Sequence, residues 1–348
     1  MSIIETGHRL SSSIAKLVSD ISIGVLNEPT EKMLLAINKA EVDNRWFTKQ
    51  MSIYAFTGIA KMLERDNLRL LPEVHQKSKP MQIGIICAGN IPMVGFHDLW
   101  CVLYSGHNAV LKLSTDDTVL MTYLSNLLIE IDSSLKERII IVDRLKNADA
   151  IIATGSNNSF RYFDYYFGKQ PHIFRKNRNS VALLTGNETE QQLKHLASDL
   201  LMYFGLGCRN ISKLMVPKGY NFDFFFECIQ TYGDALLQHN KYCNNYDYHK
   251  ALYLLELIPF LTNNFLIVRE SDAWSTPVSV LHYERYENKN ALLAYLESNA
   301  ELLQCIAVAN IDEWPQSTLR MHVLGTLQQP VITDYADGIN TLTFLSNL

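Results

Sequence analysis

The sequence predicts an α/β protein: a parallel sheet covered by helices, followed by a smaller α/β domain that carries a reactive cysteine. Three observations lead there. From Gln82 onward, short continuous apolar runs of the kind buried in parallel sheets alternate with stretches of helical length. The loops at 87–95, 112–117 and 153–158 follow such runs, and in these sheets ligands bind beyond the C-terminal strand ends. Further on, Tyr203-Phe204-Gly205-Leu206-Gly207-Cys208-Arg209-Asn210 sets one cysteine at a bend between two regular elements.

The elements are justified in chain order. Ser11 to Leu26 places Ile14, Leu17, Val18, Ile21 and Val25 on one face, and Glu28-Pro29-Thr30 ends that helix. A second pattern from Glu31 to Ala40 runs through Trp46 towards Leu63 as two helices, and neither carries chemistry. The texture changes at Lys79-Pro80. Gln82 to Cys87 reads as a strand, Gly95 to Ser105 as a helix and Asn108 to Leu113 as a strand. Asp116 to Ile131 follows as a helix, then strands at Arg138 to Val142 and Ala150 to Ala153, then a helix from Asn158 to Phe167. Such alternation implies crossover connections and a sheet covered on both faces. After Cys208 come a strand at Ile211 to Val216 and helices at Phe222 to Leu237, Tyr248 to Leu257 and Asn288 to Ser298. Strands at Leu266 to Val268, Val278 to His282 and Gln304 to Val308 complete the second domain.

A chain of 348 residues suggests two domains of ordinary size. With 47% hydrophobic and 19% charged residues and a formal charge of −5, it has no electrostatic footprint for nucleic acid. No apolar run approaches the roughly 18 residues of a membrane span. Met1 to Arg9 shows no signal-peptide core. Six cysteines without regular spacing make no disulfide framework, so reduced thiols in a cytoplasm are expected. His239, Cys243 and His249 lack a zinc spacing and are not read as a metal site.

The loops supply candidate chemistry. A helical pattern through Leu193, Leu196, Ala197, Leu200, Leu201 and Phe204 is stopped by Gly205 and Gly207, and Arg209 favours a thiolate at Cys208. Cys208 is then a covalent nucleophile, or else one more buried cysteine. Asn90 offers its amide to a developing oxyanion or closes an Asx turn before Pro92. Lys112 reaches a ribose or phosphate, or is a solvated lysine at a strand end. Ala153-Thr154-Gly155-Ser156-Asn157 presents backbone N–H groups to a pyrophosphate or serves as a plain N-cap. No GxGxxG or Walker loop occurs.

In this order the motifs resemble the aldehyde dehydrogenase superfamily, and within it the bacterial acyl-CoA reductases that include the fatty-acid reductase component of luminescence. Ala88-Gly89-Asn90-Ile91-Pro92, Val110-Leu111-Lys112-Leu113-Ser114, Ala153-Thr154-Gly155-Ser156 and Gly205-Leu206-Gly207-Cys208-Arg209 carry the likeness. So do Gln329-Pro330 and Asp334-Tyr335-Ala336-Asp337-Gly338. The resemblance spans roughly residues 80 to 345. It implies a Rossmann-like cofactor domain at 80–175, with the helical segment 1–79 packed on it. A catalytic domain at 176–320 and a C-terminal tail at 321–348 follow. It makes Cys208 the nucleophile that takes an acyl group from coenzyme A or an acyl carrier. Asn90 becomes the side-chain half of the oxyanion hole and the Cys208 N–H the other half. Lys112 matches the lysine on the adenosine ribose, with Ser114 beside it, and Thr154, Gly155 and Ser156 match the pyrophosphate turn.

Two departures shape the expectation. Aldehyde-oxidising members carry a glutamate that activates water, whereas Phe174-Arg175-Lys176-Asn177-Arg178-Asn179-Ser180-Val181 has no carboxylate, which favours a reductase. The acidic residue that usually follows the cofactor lysine is Thr115 here, which favours NADPH, with NADH the alternative and Asp116 one position along. A homodimer is the expected assembly. The alternatives are an aldehyde dehydrogenase or acyl-phosphate reductase of the same fold, and a non-catalytic interaction protein that retains the fold. Acyl-CoA-dependent NADPH oxidation separates the first two from a reductase. Acyl transfer to Cys208 separates the third.

Overall fold

The computed structural model describes residues 1–73, 79–155 and 157–348. The chain divides into two compact units, one of residues 1–177 with 329–348, the other of residues 178–328.

The first unit opens with α1 (Ile3–Ser22), α2 (Glu28–Asp43), α3 (Lys49–Met62) and the single turn α4 (Arg65–Leu68). α1 starts earlier than its apolar stripe suggests, because Ser2 caps it by accepting the Glu5 N–H at 3.2 Å. Glu28-Pro29-Thr30 does not end that helix but begins the next one. Asn27 and Thr30 form a reciprocal cap, and Pro29 occupies the first turn, where a missing N–H costs nothing.

The sheet of this unit contains β1 (Gln82–Ile86), β2 (Asn108–Lys112), β3 (Ile139–Ile141), β4 (Ala150–Thr154) and β5 (His172–Arg175). Between them run α5 (Phe96–Tyr104), α6 (Thr118–Ile131) and α7 (Asn157–Phe167). All pairings are parallel, in the order β3-β2-β1-β4-β5. The chain moves outward from β1 to β3 and then returns to β1's other side, so β1 and β4 flank the point where strand order reverses. A ligand crevice is expected at that point. The terminal helix Thr341–Ser346 belongs to the same unit. Arg175 anchors it: the guanidinium makes a buried bidentate pair with Asp98 at 2.5 and 2.9 Å and donates to Thr341 Oγ1 at 2.9 Å.

The second unit builds a seven-stranded sheet in the order β12-β11-β6-β7-β10-β9-β8. Its strands are β6 (Asn179–Leu183), β7 (Ile211–Pro217), β8 (Leu261–Thr262), β9 (Ile267–Glu270), β10 (Val280–Tyr286), β11 (Leu303–Val308) and β12 (Met321–Val323). Only β8 runs antiparallel. The helices are α8 (Glu190–Leu201), α9 (Asp223–Ile229), α10 (Gly233–Leu237), α11 (Asn240–Leu255) and α12 (Lys289–Ser298). The predicted helix from Phe222 to Leu237 is therefore two helices joined by a 3-10 turn at Gln230–Tyr232. α11 begins eight residues before the predicted Tyr248, where His239 Nδ1 accepts the Tyr242 N–H at 3.2 Å. Cys243 Sγ donates to the Leu237 carbonyl at 3.2 Å, so both side chains serve local helix structure. β12 takes up residues 321–323, so the segment that joins the first unit starts at Gln329.

Candidate active site

In the first unit the candidate residues collect at the C-terminal ends of β1, β2 and β4. Asn90 is exposed in the bend after β1. That bend turns sharply: Met93 holds φ 56°, a left-handed conformation uncommon outside glycine. Its N–H is taken by the Asp117 carboxylate at 2.6 Å. Asp117 is buried, and burial pushes its acid well above the usual carboxylate range against the pull of that N–H. The sequence drew attention to Thr115 and Asp116, yet Asp117 fixes the Asn90 loop. Nothing local in the sequence marks that contact across 24 positions.

Gly89 and Ser114 pack together. A Cβ at Gly89 would overlap the Ser114 side chain, so only glycine lets the β1 and β2 loops approach this closely. Ser114 caps the 3-10 turn Thr115–Asp117, its Oγ accepting the Asp116 N–H at 3.3 Å, and Thr115 is exposed on that turn. Lys112 is half-buried and donates from Nζ to the Leu113 carbonyl at 2.8 Å. Thr154 ends β4, half-buried. The Gly155 N–H does not match the expected open anion donor, because it continues the sheet by donating to the Arg175 carbonyl at 3.3 Å. Ser156 lies outside the described residues.

In the second unit, Cys208 stands just before β7 and is exposed. Cys87, Cys101, Cys228 and Cys305 are buried, Cys243 is half-buried, and no cysteine is in a disulfide. The reading of Cys208 as one more buried cysteine is thereby overturned. Burial pushes the Cys87 thiol up to about 12 and the Cys101 thiol well above its ordinary value, disfavouring their nucleophilic forms. α8 does not run to the glycines as predicted; it stops at Leu201. Tyr203, Phe204 and Gly205 then take φ values of 53°, 57° and 77°. Two successive bulky residues in the left-handed region cost on the order of 1–3 kcal/mol each, and such strain clusters at functional sites. Burial of both rings holds them there, with the Phe204 ring tilted by 34° against His239 at a centroid distance of 4.3 Å.

Buried polar side chains hold the turn. Asn210 Oδ1 accepts the Gly207 N–H at 2.8 Å while its Nδ2 donates to the carbonyls of Asp199 and Met202 at 3.0 and 2.8 Å. Ser180 Oγ donates to the Cys208 carbonyl at 2.9 Å. Gln328 Nε2 donates to the carbonyls of Arg209 and Asp199 at 3.0 and 3.1 Å. Arg209 sets Nη1 3.4 Å from Cys305 Sγ. The ladders of β6 slip by one residue at this end, beside Ser180 on one edge and between Leu303 and Cys305 on the other. Irregularities of this kind recur next to active sites.

Two buried ionisable groups near β7 went unread in the sequence. Lys213 donates to the Asp272 carbonyl at 2.8 Å and pairs with Glu284 at 3.0 Å, and burial lowers its pKa. Asp199 accepts the N–H groups of Gly325 and Leu327 at 2.6 and 3.0 Å, yet burial pushes its acid up to about 7. A raised folded-state value means that the native protein holds this proton while the unfolded chain has lost it. Asp199 therefore supports folding below about pH 4, and that support fades as pH rises through about 7. Asp199→Asn is expected to flatten the fall in stability between about pH 4 and 7, read by urea unfolding at both ends. An unchanged slope would contradict the assignment.

No family model matches the sequence, and no curated protein gives a significant sequence match. The fold matches that of solved aldehyde dehydrogenases. A Physcomitrella patens aldehyde dehydrogenase 21 solved with succinate matches with a TM-score of 0.65 at 11% identity, over 98% of this chain and 84% of that one. An NAD-dependent aldehyde dehydrogenase from Sinorhizobium meliloti gives 0.61 at 13% identity, over 90% and 71%. A Mycobacterium tuberculosis aldehyde dehydrogenase complexed with NAD+ gives 0.59 at 13%, over 91% and 77%. Among the described residues no helix is long and apolar enough to cross a membrane.

Proposed function

We propose that the protein reduces an acyl thioester, of the acyl-CoA class, to an aldehyde through an acyl-Cys208 intermediate, with NADPH as reductant. One observation carries this reading: Cys208 is exposed on a strained, firmly held turn while the buried cysteines lie in the core. In the proposed reaction the Cys208 thiolate attacks the thioester carbonyl carbon. Asn90 and the Cys208 N–H are the donors to the oxygen that gains the charge. The C–S bond to the carrier breaks, the carrier thiolate takes a proton from solvent, and an enzyme thioester remains. A bound reduced nicotinamide supplies the hydride that this carbonyl carbon requires. The C–S bond to Cys208 then breaks, aldehyde leaves, and the thiolate is restored.

The residues at the first unit's strand ends fit such a cofactor chemically. Lys112, Ser114 and Thr154 offer an ammonium and two hydroxyls to ribose and phosphate oxygens, at the C-terminal ends of β2 and β4 on either side of β1, beside the reversal point of the sheet. Supporting a reductase over a hydrolytic dehydrogenase, the segment from Phe174 to Thr185 contains no Asp or Glu. Its one buried ionisable group, Arg175, is committed to Asp98.

The experiment is incubation with a panel of labelled acyl-CoAs followed by NADPH. Aldehyde with matching NADPH loss supports the reading, and no acylation with any member overturns it. The cofactor preference has its own test. Thr115 is exposed on the turn after Lys112, and a carboxylate there would repel a 2′-phosphate. Thr115→Glu is expected to shift preference from NADPH towards NADH by about tenfold, a modest charge effect at an exposed position. Tighter NADH binding by the unaltered protein would contradict this account of the loop.

A further inference from the structure

We propose that Gln328 is a positioning residue for the nucleophile, acting with Ser180 and Asn210 to hold the backbone of Gly207-Cys208-Arg209. The inference rests on the acyl-transfer reading of Cys208. It follows from one juxtaposition: successive residues of the turn each have a backbone group bound by a different side chain. The Gly207 N–H goes to Asn210, the Cys208 carbonyl to Ser180 and the Arg209 carbonyl to Gln328. These side chains come from three places: the start of β6, the start of β7 and the far end of the second unit. All three are nearly inaccessible to solvent. A buried amide satisfied by backbone carbonyls on two segments fixes the distance between them.

Gln328 is the keystone of the set. Its single Nε2 bridges the Arg209 carbonyl and the Asp199 carbonyl, and the latter lies in the last turn of α8, where helix carbonyls lack intrahelical donors. The Asp199 carboxylate grips the N–H groups of Gly325 and Leu327 and so sets the approach to Gln328. The helix end and the turn after the nucleophile thus move as one body, although Gln328 stands 120 positions beyond Cys208. A backbone donor serves an oxyanion only when held in place, since small misplacements forfeit much of the rate. The role concerns the step in which charge appears on the carbonyl oxygen. It does not concern the intrinsic reactivity of an exposed thiol.

That distinction supplies the test. Gln328→Met keeps length and packing but removes the donor, Gln328→Glu turns an acceptor towards two carbonyls, and Ser180→Ala removes the neighbouring donor at little cost in volume. For each variant, acylation by a long-chain acyl-CoA is measured beside alkylation of Cys208 by iodoacetamide, which develops no oxyanion. Gln328→Met and Ser180→Ala are expected to lower the acylation rate at saturating acyl-CoA by about tenfold or more. The KM and the alkylation rate should stay within about twofold, and Gln328→Glu should fall further in acylation alone. Amide hydrogen exchange over residues 205–210 reads the holding without any substrate and should speed up in Gln328→Met. Equal slowing of acylation and alkylation, or unchanged acylation together with unchanged exchange, overturns the proposal. Failure of the unaltered protein to acylate overturns the acyl-transfer reading instead, and the exchange measurement still decides whether Gln328 holds the turn.

Discussion

Replacing Cys208 with alanine is expected to abolish both acyl labelling and aldehyde formation. A long-chain acyl-CoA added without NADPH should leave one acyl group on the unaltered protein, released by hydroxylamine as a thioester is. No other cysteine can substitute on physical grounds. Cys87 and Cys101 are buried with thiols held protonated, Cys228 and Cys305 are buried, and Cys243 on α11 is engaged with the Leu237 carbonyl at the end of α10. Changing each of those five should therefore leave labelling intact. Labelling that survives Cys208→Ala would mean that the strained turn serves some other purpose.

Asn90→Ala is the second large effect. Loss of one oxyanion donor typically costs about 10²–10³ in turnover, and a similar fall is expected here with little change in KM for the thioester. The loop that presents Asn90 is well anchored: Asp117 takes the Met93 N–H, and Ser114 packs against Gly89. A thermal melt of Asn90→Ala separates a loss of chemistry from a loss of fold. Turnover within about twofold of the unaltered protein would remove Asn90 from the mechanism.

The first unit was largely legible because its strands are continuous apolar runs. Ile83 to Ile86, Ala109 to Leu111 and Ala150 to Ala153 have no polar alternative, and the helices between them fall to within a few residues of their patterns. Four strands escaped. β5 and β6 border the basic stretch Arg175 to Arg178, which hides their apolar residues, β8 has only two residues, Leu261 and Thr262, and β12 only three, Met321 to Val323. The end of α8 was misplaced because Phe204 keeps helical spacing with Leu200 and Leu201. What stops the helix is the Asn210 amide, which captures the carbonyls of Asp199 and Met202 and draws the chain into left-handed backbone. The candidate nucleophile was readable since glycines and a cysteine at a helix-to-strand junction are a local signal. Its supports, and that of the Asn90 loop, were not. Asp199 and Gln328 at the cysteine turn, and Asp117 at the Asn90 loop, act on backbone groups that are distant in sequence, and a backbone N–H or carbonyl carries no residue identity.

The most direct test of the central claim is the fate of a preformed acyl-enzyme. Hydrolysis of a thioester needs a positioned group to take a proton from water, typically worth about 10²–10⁴ in rate, and the chain from Phe174 to Thr185 provides no carboxylate for it. Acyl-Cys208 is formed from labelled acyl-CoA, freed of coenzyme A and mixed in a single turnover with NADPH or with buffer alone. Products are then separated by chromatography. The account predicts stoichiometric aldehyde with NADPH, and in buffer an acyl-enzyme that persists through many turnover times. Rapid, stoichiometric free acid in either arm would contradict it.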